Sequence, residues 1–230
     1  MEITPKTAGK PKYPVVHVHG AGGNSYTAIG FLGNGKPSPT NVMAEAGHSA
    51  VSAELGGPQT WGNVASRNAM DLSVNKALAM PGVKPGKVFL MAASMGGLTS
   101  FNWAAYGTNK SKVAGIIAVI PVINTTDIKT NNRGGYASLV DAAYGGTYTE
   151  ASYGAVHNPK TLAAAGKFSG IPMLIFYGQT DAVCVPAETV AFASLVGSSV
   201  QLVPLSSGHD TASYSAVDNQ RILDFLAANG

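Results

Sequence analysis

The chain has 230 residues, 45% of them hydrophobic and only 12% charged, with a formal net charge of +3, against roughly 25% charged residues in an average soluble domain. That length accommodates one domain, or barely two, and buries roughly 70% of the unfolded chain's surface. Low net charge with positive mean hydropathy excludes a disordered chain, and the single cysteine, Cys184, excludes a fold held by internal disulfides.

Other classes fall on local composition. The most apolar run, from Val113 to Ile123, is broken by Gly115 and Pro121 and is too short to span a bilayer, so no membrane span is expected. Met1 to Lys12 lacks the apolar core of a secretory signal, and a lone cysteine suits a reducing compartment. The expectation is a soluble protein, cytoplasmic or exported without a visible signal, with the two left open. Basic residues are dispersed from Lys6 to Arg133 without a dense run, and no nucleic-acid partner is expected. The sequence does not address oligomeric state.

Short apolar runs alternate with longer segments compatible with helix, the pattern of an α/β fold with a mostly parallel sheet. In chain order the predicted strands are Pro14 to His19, His48 to Ala53, Lys87 to Ala92, Val113 to Ile120, Ile171 to Tyr177 and Ser199 to Pro204. Their near-continuous apolar character predicts strands covered on both faces. Trp61, Val64, Ala65, Ala69, Leu72 and Ala79 fall on one helical stripe, predicting a helix over 60–80 that buries that face. Met95 to Tyr106 is a second helix. Pro186 stands in the first turn of a third, running to Val196. Tyr214, Val217, Ile222 and Phe225 mark a closing helix.

The stretch from Val122 to Ser169 breaks the alternation. It is rich in Asn, Thr, Gly and Tyr, and a connection of that length between two strands carries extra substructure with a functional role. The expectation is therefore a single domain over 1–230 with a cap-like insertion over 122–169. Tyr136, Tyr144, Tyr148, Tyr153 and His157 in it are either pocket-lining or packing residues.

The chemistry concentrates at three places. Val88 to Gly97 reads as a buried strand, a serine, glycines and then a helix. This sets Ser94 on a sharp strand-to-helix turn, with small residues, Ala92 and Gly96, two positions on either side. The usual pattern has glycine where this chain has Ala92. A serine hydroxyl is a weak nucleophile and needs a base oriented by a carboxylate. Asp181 follows the strand ending at Tyr177, and His209 follows the strand ending at Pro204, on a Gly208-led loop. Each lies beyond a strand's C-terminal end, where open α/β sheets build their sites.

With those motifs in the order Ser, Asp, His, the chain resembles the α/β-hydrolase superfamily from about Tyr13 to Gly230. Like the His-Gly loop of that family, His17-Val18-His19-Gly20-Ala21-Gly22-Gly23 follows the first strong strand. The resemblance implies a triad of Ser94, Asp181 and His209, and an oxyanion hole from the backbone N–H groups of Ala21 and Met95. It also implies a sheet of about six strands flanked by helices, trimmed at the N-terminus to at most a short segment near Glu2 to Thr4.

By the same resemblance the expected activity is that of a serine hydrolase, foremost a carboxylesterase acting on a small or polymer-linked ester, without cofactor or metal. A peptidase, lipase or acyltransferase shares the triad, and a binding module that kept the fold is the reading from another class.

Rival motifs are weaker. Gly30 to Lys36 nearly spells a phosphate-binding loop, but Pro37 replaces the hydroxyl residue needed on magnesium, so it reads as a loop near the site entrance. His17 and His19 share a strand face without a nearby carboxylate or cysteine at ligand spacing. His48 reads as structural, Cys184 as a small buried residue, and Asp127 and Asp141 as lesser alternatives to Asp181. The neutral polar residues of loops and insertion suit neutral esters better than anionic ones.

Overall fold

A computed structural model describes residues 1–5, 9–29 and 37–230; the glycine-rich loop from Gly30 to Lys36 lies outside them. Seven strands form one sheet: β1 Glu2–Ile3, β2 Val15–Val18, β3 Ala50–Ala53, β4 Val88–Ala93, β5 Val113–Val119, β6 Met173–Gly178 and β7 Val200–Leu205, in the order β1-β3-β2-β4-β5-β6-β7. Six are the strands expected from the apolar runs, and all pair in parallel. The seventh, β1, is the short N-terminal segment and pairs antiparallel with β3.

The central strands bury both faces, which explains their unbroken apolar sequence. Along β4, Val88, Leu90 and Ala92 enter one core while Phe89, Met91 and Ala93 enter the other, the period-2 alternation of a pleated strand.

In chain order the helices are α1 Ser25–Ile29, α2 Pro39–Glu45, α3 Val64–Leu78, α4 Met95–Ala105, α5 Thr125–Thr130, α6 Ala137–Ala143, α7 Ala155–His157, α8 Pro159–Ala164, α9 Pro186–Val196, α10 Thr211–Ser215 and α11 Asn219–Asn229. The face of Leu90 is covered by α3, α4, α8 and α9, through Met70, Val74, Phe101, Leu162 and Phe192. On the opposite face, Met43 of α2 and Ile222, Phe225 and Leu226 of α11 pack against Phe89 and Met91.

Two expectations are corrected. The stripe assigned to α3 faces outward: Val64 is 52% and Leu72 74% exposed, while Ser66, Arg67, Met70, Val74 and Ala77 are buried. At 100° per residue these lie on roughly the opposite side of the helix. The reason is Trp61, which is buried but belongs to the turn before the helix, with φ 45°, so it does not extend a helical face. The helix starts after Asn63, whose side chain caps Ser66 N–H at 3.0 Å. The closing helix is in fact two, α10 and α11. The second is restarted by Asp218, whose carboxylate accepts from the N–H groups of Gln220 and Arg221.

Between β5 and β6, residues 122–169 hold α5 to α8. While α8 lies in the helix layer through Leu162 and Ala163, the residues before it pack through aromatic rings. Tyr144 lies with its ring centroid 4.9 Å from Tyr148 and 4.8 Å from Tyr153, and Tyr148 stacks on Tyr153 at 5.5 Å and 18°. His157 closes the group against Tyr144 at 5.2 Å. Tyr148 and His157 are buried, so in this structure the cluster packs on itself. Burial holds the Tyr144 and Tyr148 hydroxyls well above the usual phenol range, keeping both neutral.

Candidate functional site

Ser94 sits between β4 and α4 with φ 49° and ψ −118°, a strained backbone for a residue other than glycine. Three backbone bonds hold it there: its N–H donates to Val119 O at 3.0 Å, and its carbonyl accepts from Gly97 at 2.9 Å and Val122 at 3.0 Å. The turn is possible only because Gly96 has no side chain. A Cβ there would lie 2.3 Å from the carbonyl oxygen of Val18 and 2.6 Å from that of His19. Ala92, where the usual pattern has glycine, is fully buried within β4.

The structure brings the three predicted side chains together. Ser94 Oγ lies 2.9 Å from His209 Nε2, and His209 Nδ1 lies 2.8 Å from Asp181 Oδ2. These pairs are 115 and 28 residues apart in sequence. All three residues stand just past the C-terminal ends of neighbouring strands in the order β4-β5-β6-β7. Asp181 is fixed by its second oxygen, which accepts the N–H groups of Val183 at 2.8 Å and Cys184 at 2.7 Å. That leaves Oδ2 for the imidazole, which accordingly carries its proton on Nδ1 and presents the Nε2 lone pair to Ser94. The His209 loop is anchored by Ser213, whose N–H donates to Asp210 Oδ1 at 3.1 Å and whose hydroxyl donates to Gly208 O.

The loop after β2 runs beside Ser94: a Cβ on Gly20 would lie 3.4 Å from that of Ser94. In this loop Gly22 N–H donates to Pro58 O at 2.8 Å and Gly23 N–H to Gly20 O at 3.1 Å, so Ala21 lies between the Ser94 contact and two committed amides. Met95 is the first residue of α4, where a backbone N–H has no acceptor within the helix. The positive end of the helix dipole adds to its pull on an anion.

Other candidates separate from this group. Asp127 pairs with Arg133 at 3.0 Å and Asp141 with Lys129 at 2.6 Å, and neither meets His209. The Lys129 ammonium holds the Asp141 carboxyl below the usual range. His48 is buried with Nδ1 3.0 Å from Tyr13 O. His19 Nδ1 lies 2.8 Å from Gly20 O, and His17 is fully buried in β2. Cys184 is buried, and burial, followed by the charges of Asp181 and Asp127, pushes its thiol well up.

Sequence reasoning missed the contacts by which Trp61 joins Met95 to the insertion. Its backbone N–H lies 3.3 Å from Met95 Sδ, its carbonyl accepts the Tyr144 hydroxyl at 2.9 Å, and its ring centroid is 5.0 Å from that of Tyr136. Nothing in a Trp-Gly dipeptide signals a buried tryptophan with positive φ, because the conformation is imposed by α4 and the insertion. Tyr214 also belongs to this neighbourhood: burial, with Cys184 and Asp181 nearby, pushes its phenol up to about 12.

No protein-family model matches the chain, and no curated protein matches it. Among solved structures it is similar to Est1E from Butyrivibrio proteoclasticus, with a TM-score of 0.67 at 18% identity over 98% of this chain and 93% of that one. It is also similar to the fluorophosphonate-binding serine hydrolase FphF of Staphylococcus aureus, solved with substrate bound, with a TM-score of 0.77 at 16% identity over 98% and 91%. A monoacylglycerol lipase of Paleococcus ferrophilus gives 0.64 at 14% over 100% and 99%. The chain has the α/β-hydrolase fold.

Proposed function

We propose that this chain is a serine hydrolase that cleaves carboxylic esters through an acyl-enzyme intermediate. The observation that carries the proposal is the unbroken line from Ser94 Oγ through His209 to Asp181, with links of 2.9 and 2.8 Å. Ser94 Oγ attacks the ester carbonyl carbon and passes its proton to His209 Nε2, which returns it to the departing alcohol. Asp181 holds the tautomer and stabilises the imidazolium. The backbone N–H groups of Ala21 and Met95 receive the oxyanion, a contribution of about 2.7–4 kcal/mol from each donor. Water, deprotonated by His209, then releases the acid.

Residues 122–169 serve in this reading as the cap that shapes the substrate pocket. Support comes from the contact chain Tyr136 to Trp61 to Met95, which ties the insertion to the nucleophile turn. The alcohol portion is a small molecule or a polymer, and the neutral polar surroundings favour uncharged esters. Among the described residues no helix is long and apolar enough to cross a membrane.

The test is Ser94→Ala. Hydrolysis of a chromogenic short-chain ester should fall by roughly 10⁴ or more, fluorophosphonate labelling should vanish, and the circular dichroism spectrum should be unchanged. Retained turnover overturns the assignment. A panel of acyl esters graded by length, with acetylated and feruloylated polysaccharides, then defines the substrate.

A further inference from the structure

We infer that Asp181, Cys184 and His209 form a binding site for a divalent cation of zinc-like softness, and that occupying it switches the active site off. The switching rests on the hydrolase reading; the site does not.

Asp181 Oδ1 accepts the N–H of Cys184, so the chain turns back on itself and brings the cysteine under the carboxylate. As a result a carboxylate oxygen, a thiol sulfur and an imidazole nitrogen lie within 4.8 Å of one another. Carboxylate, thiolate and imidazole are the donors that zinc selects, at about 2.0–2.3 Å each. Tetrahedral ligands at those lengths are roughly 3.3–3.8 Å apart, so the widest pair closes by only about 1 Å. The outer shell needed to orient a ligand is already built, since Asp181 Oδ1 is held by two backbone N–H groups. The sulfur is free of any disulfide. Three protein ligands leave the fourth position for water.

The imidazole nitrogen that faces the carboxylate is Nδ1, 2.8 Å from Asp181 Oδ2, so it is the one placed to act as ligand. A cation there replaces the proton shared by these two atoms. A neutral imidazole coordinated through Nδ1 carries its one proton on Nε2, so that nitrogen turns from acceptor to donor toward Ser94 Oγ, 2.9 Å away. The base is then lost. The balance is one cation bound, one proton moved from Nδ1 to Nε2, and one proton released from the Cys184 thiol to solvent.

Two measurements test this on the full chain. In the Ser94→Ala protein, Co²⁺ should give a sulfur-to-metal charge-transfer band that is absent when Cys184→Ala or Cys184→Ser is added. In the protein with Ser94 intact, Zn²⁺ should inhibit ester hydrolysis, and EDTA should restore it. Either cysteine variant should need roughly tenfold more Zn²⁺ or more for half-inhibition relative to its own uninhibited rate. Both variants keep the backbone N–H at 184, and serine keeps the size should alanine fail to fold. A folded protein without the thiolate band at saturating Co²⁺, or a cysteine variant inhibited like its parent, overturns the inference. Absence of any ester turnover counts against the hydrolase reading alone, because the Co²⁺ band is read without it.

Discussion

His17 offers a direct test of how this core pays for a buried titratable group. It sits in β2, inside the sheet, with no exposed surface, and neither ring nitrogen has a hydrogen-bond partner among the described residues. Burial lowers its pKa from 6.5 to about 4. The folded state therefore holds it neutral while the unfolded chain takes up a proton below about pH 6.5, so stability falls as pH drops from there toward 4. From the two pKa values the loss is about 2 kcal/mol near pH 5 and about 3 kcal/mol near pH 4.

His48 and His157 are also lowered chiefly by burial and add in the same direction. The contribution of His17 is isolated by comparison with His17→Leu, which cannot titrate. Urea unfolding of both proteins at pH 7, 6, 5 and 4.5 should show the wild type losing more stability than the variant, by about 2 kcal/mol at pH 5. At pH 7 the leucine also relieves two unpaired ring nitrogens. Parallel pH profiles for the two proteins would refute the argument that the ring is desolvated in the native state.

Two further substitutions probe the site and its support. Asp181→Asn removes the carboxylate that, in the proposed triad, fixes the His209 tautomer, and kcat toward an ester should fall by about 10⁴ with the fold intact; a fall of less than tenfold would remove Asp181 from the proposed triad. Gly96→Ala places a methyl 2.3 Å from Val18 O, against backbone that has no room to yield. It should cost about 3 kcal/mol or more, or roughly 6–12 °C in melting temperature. A melting temperature equal to wild type would show that the β2 to α4 crossing is looser than described.

Much of the site was legible because its signals are local. The Ser94 turn is written in ten consecutive residues, a buried strand followed by Gly96 and Gly97, and a strand-to-helix elbow of this kind needs no distant partner to be recognised. Asp181 and His209 were found by position, each just past a strand whose apolar run is unmistakable. The α3 face was misread because its first apolar marker, Trp61, lies in a turn whose positive φ depends on Met95, Tyr136 and Tyr144, residues 34 to 83 positions away. A hydrophobic stripe inferred through a turn rotates the whole helix.

By itself, then, the sequence determined which segments are strands, that the central strands are covered on both faces, and which serine, aspartate and histidine stand at the sheet's C-terminal edge, whereas the edge strand β7, read as covered in the same way, is mostly half-buried or exposed. Those follow from side-chain chemistry and short periodicities. Only the tertiary structure decided that Oδ2 rather than Oδ1 of Asp181 faces His209, that Trp61 packs against the residue after Ser94, and that the Cys184 thiol lies within 4.8 Å of the same carboxylate and imidazole. These are distances of a few ångströms between residues far apart in the chain. They are set by how β4, β5, β6 and β7 lie side by side, which no local pattern encodes.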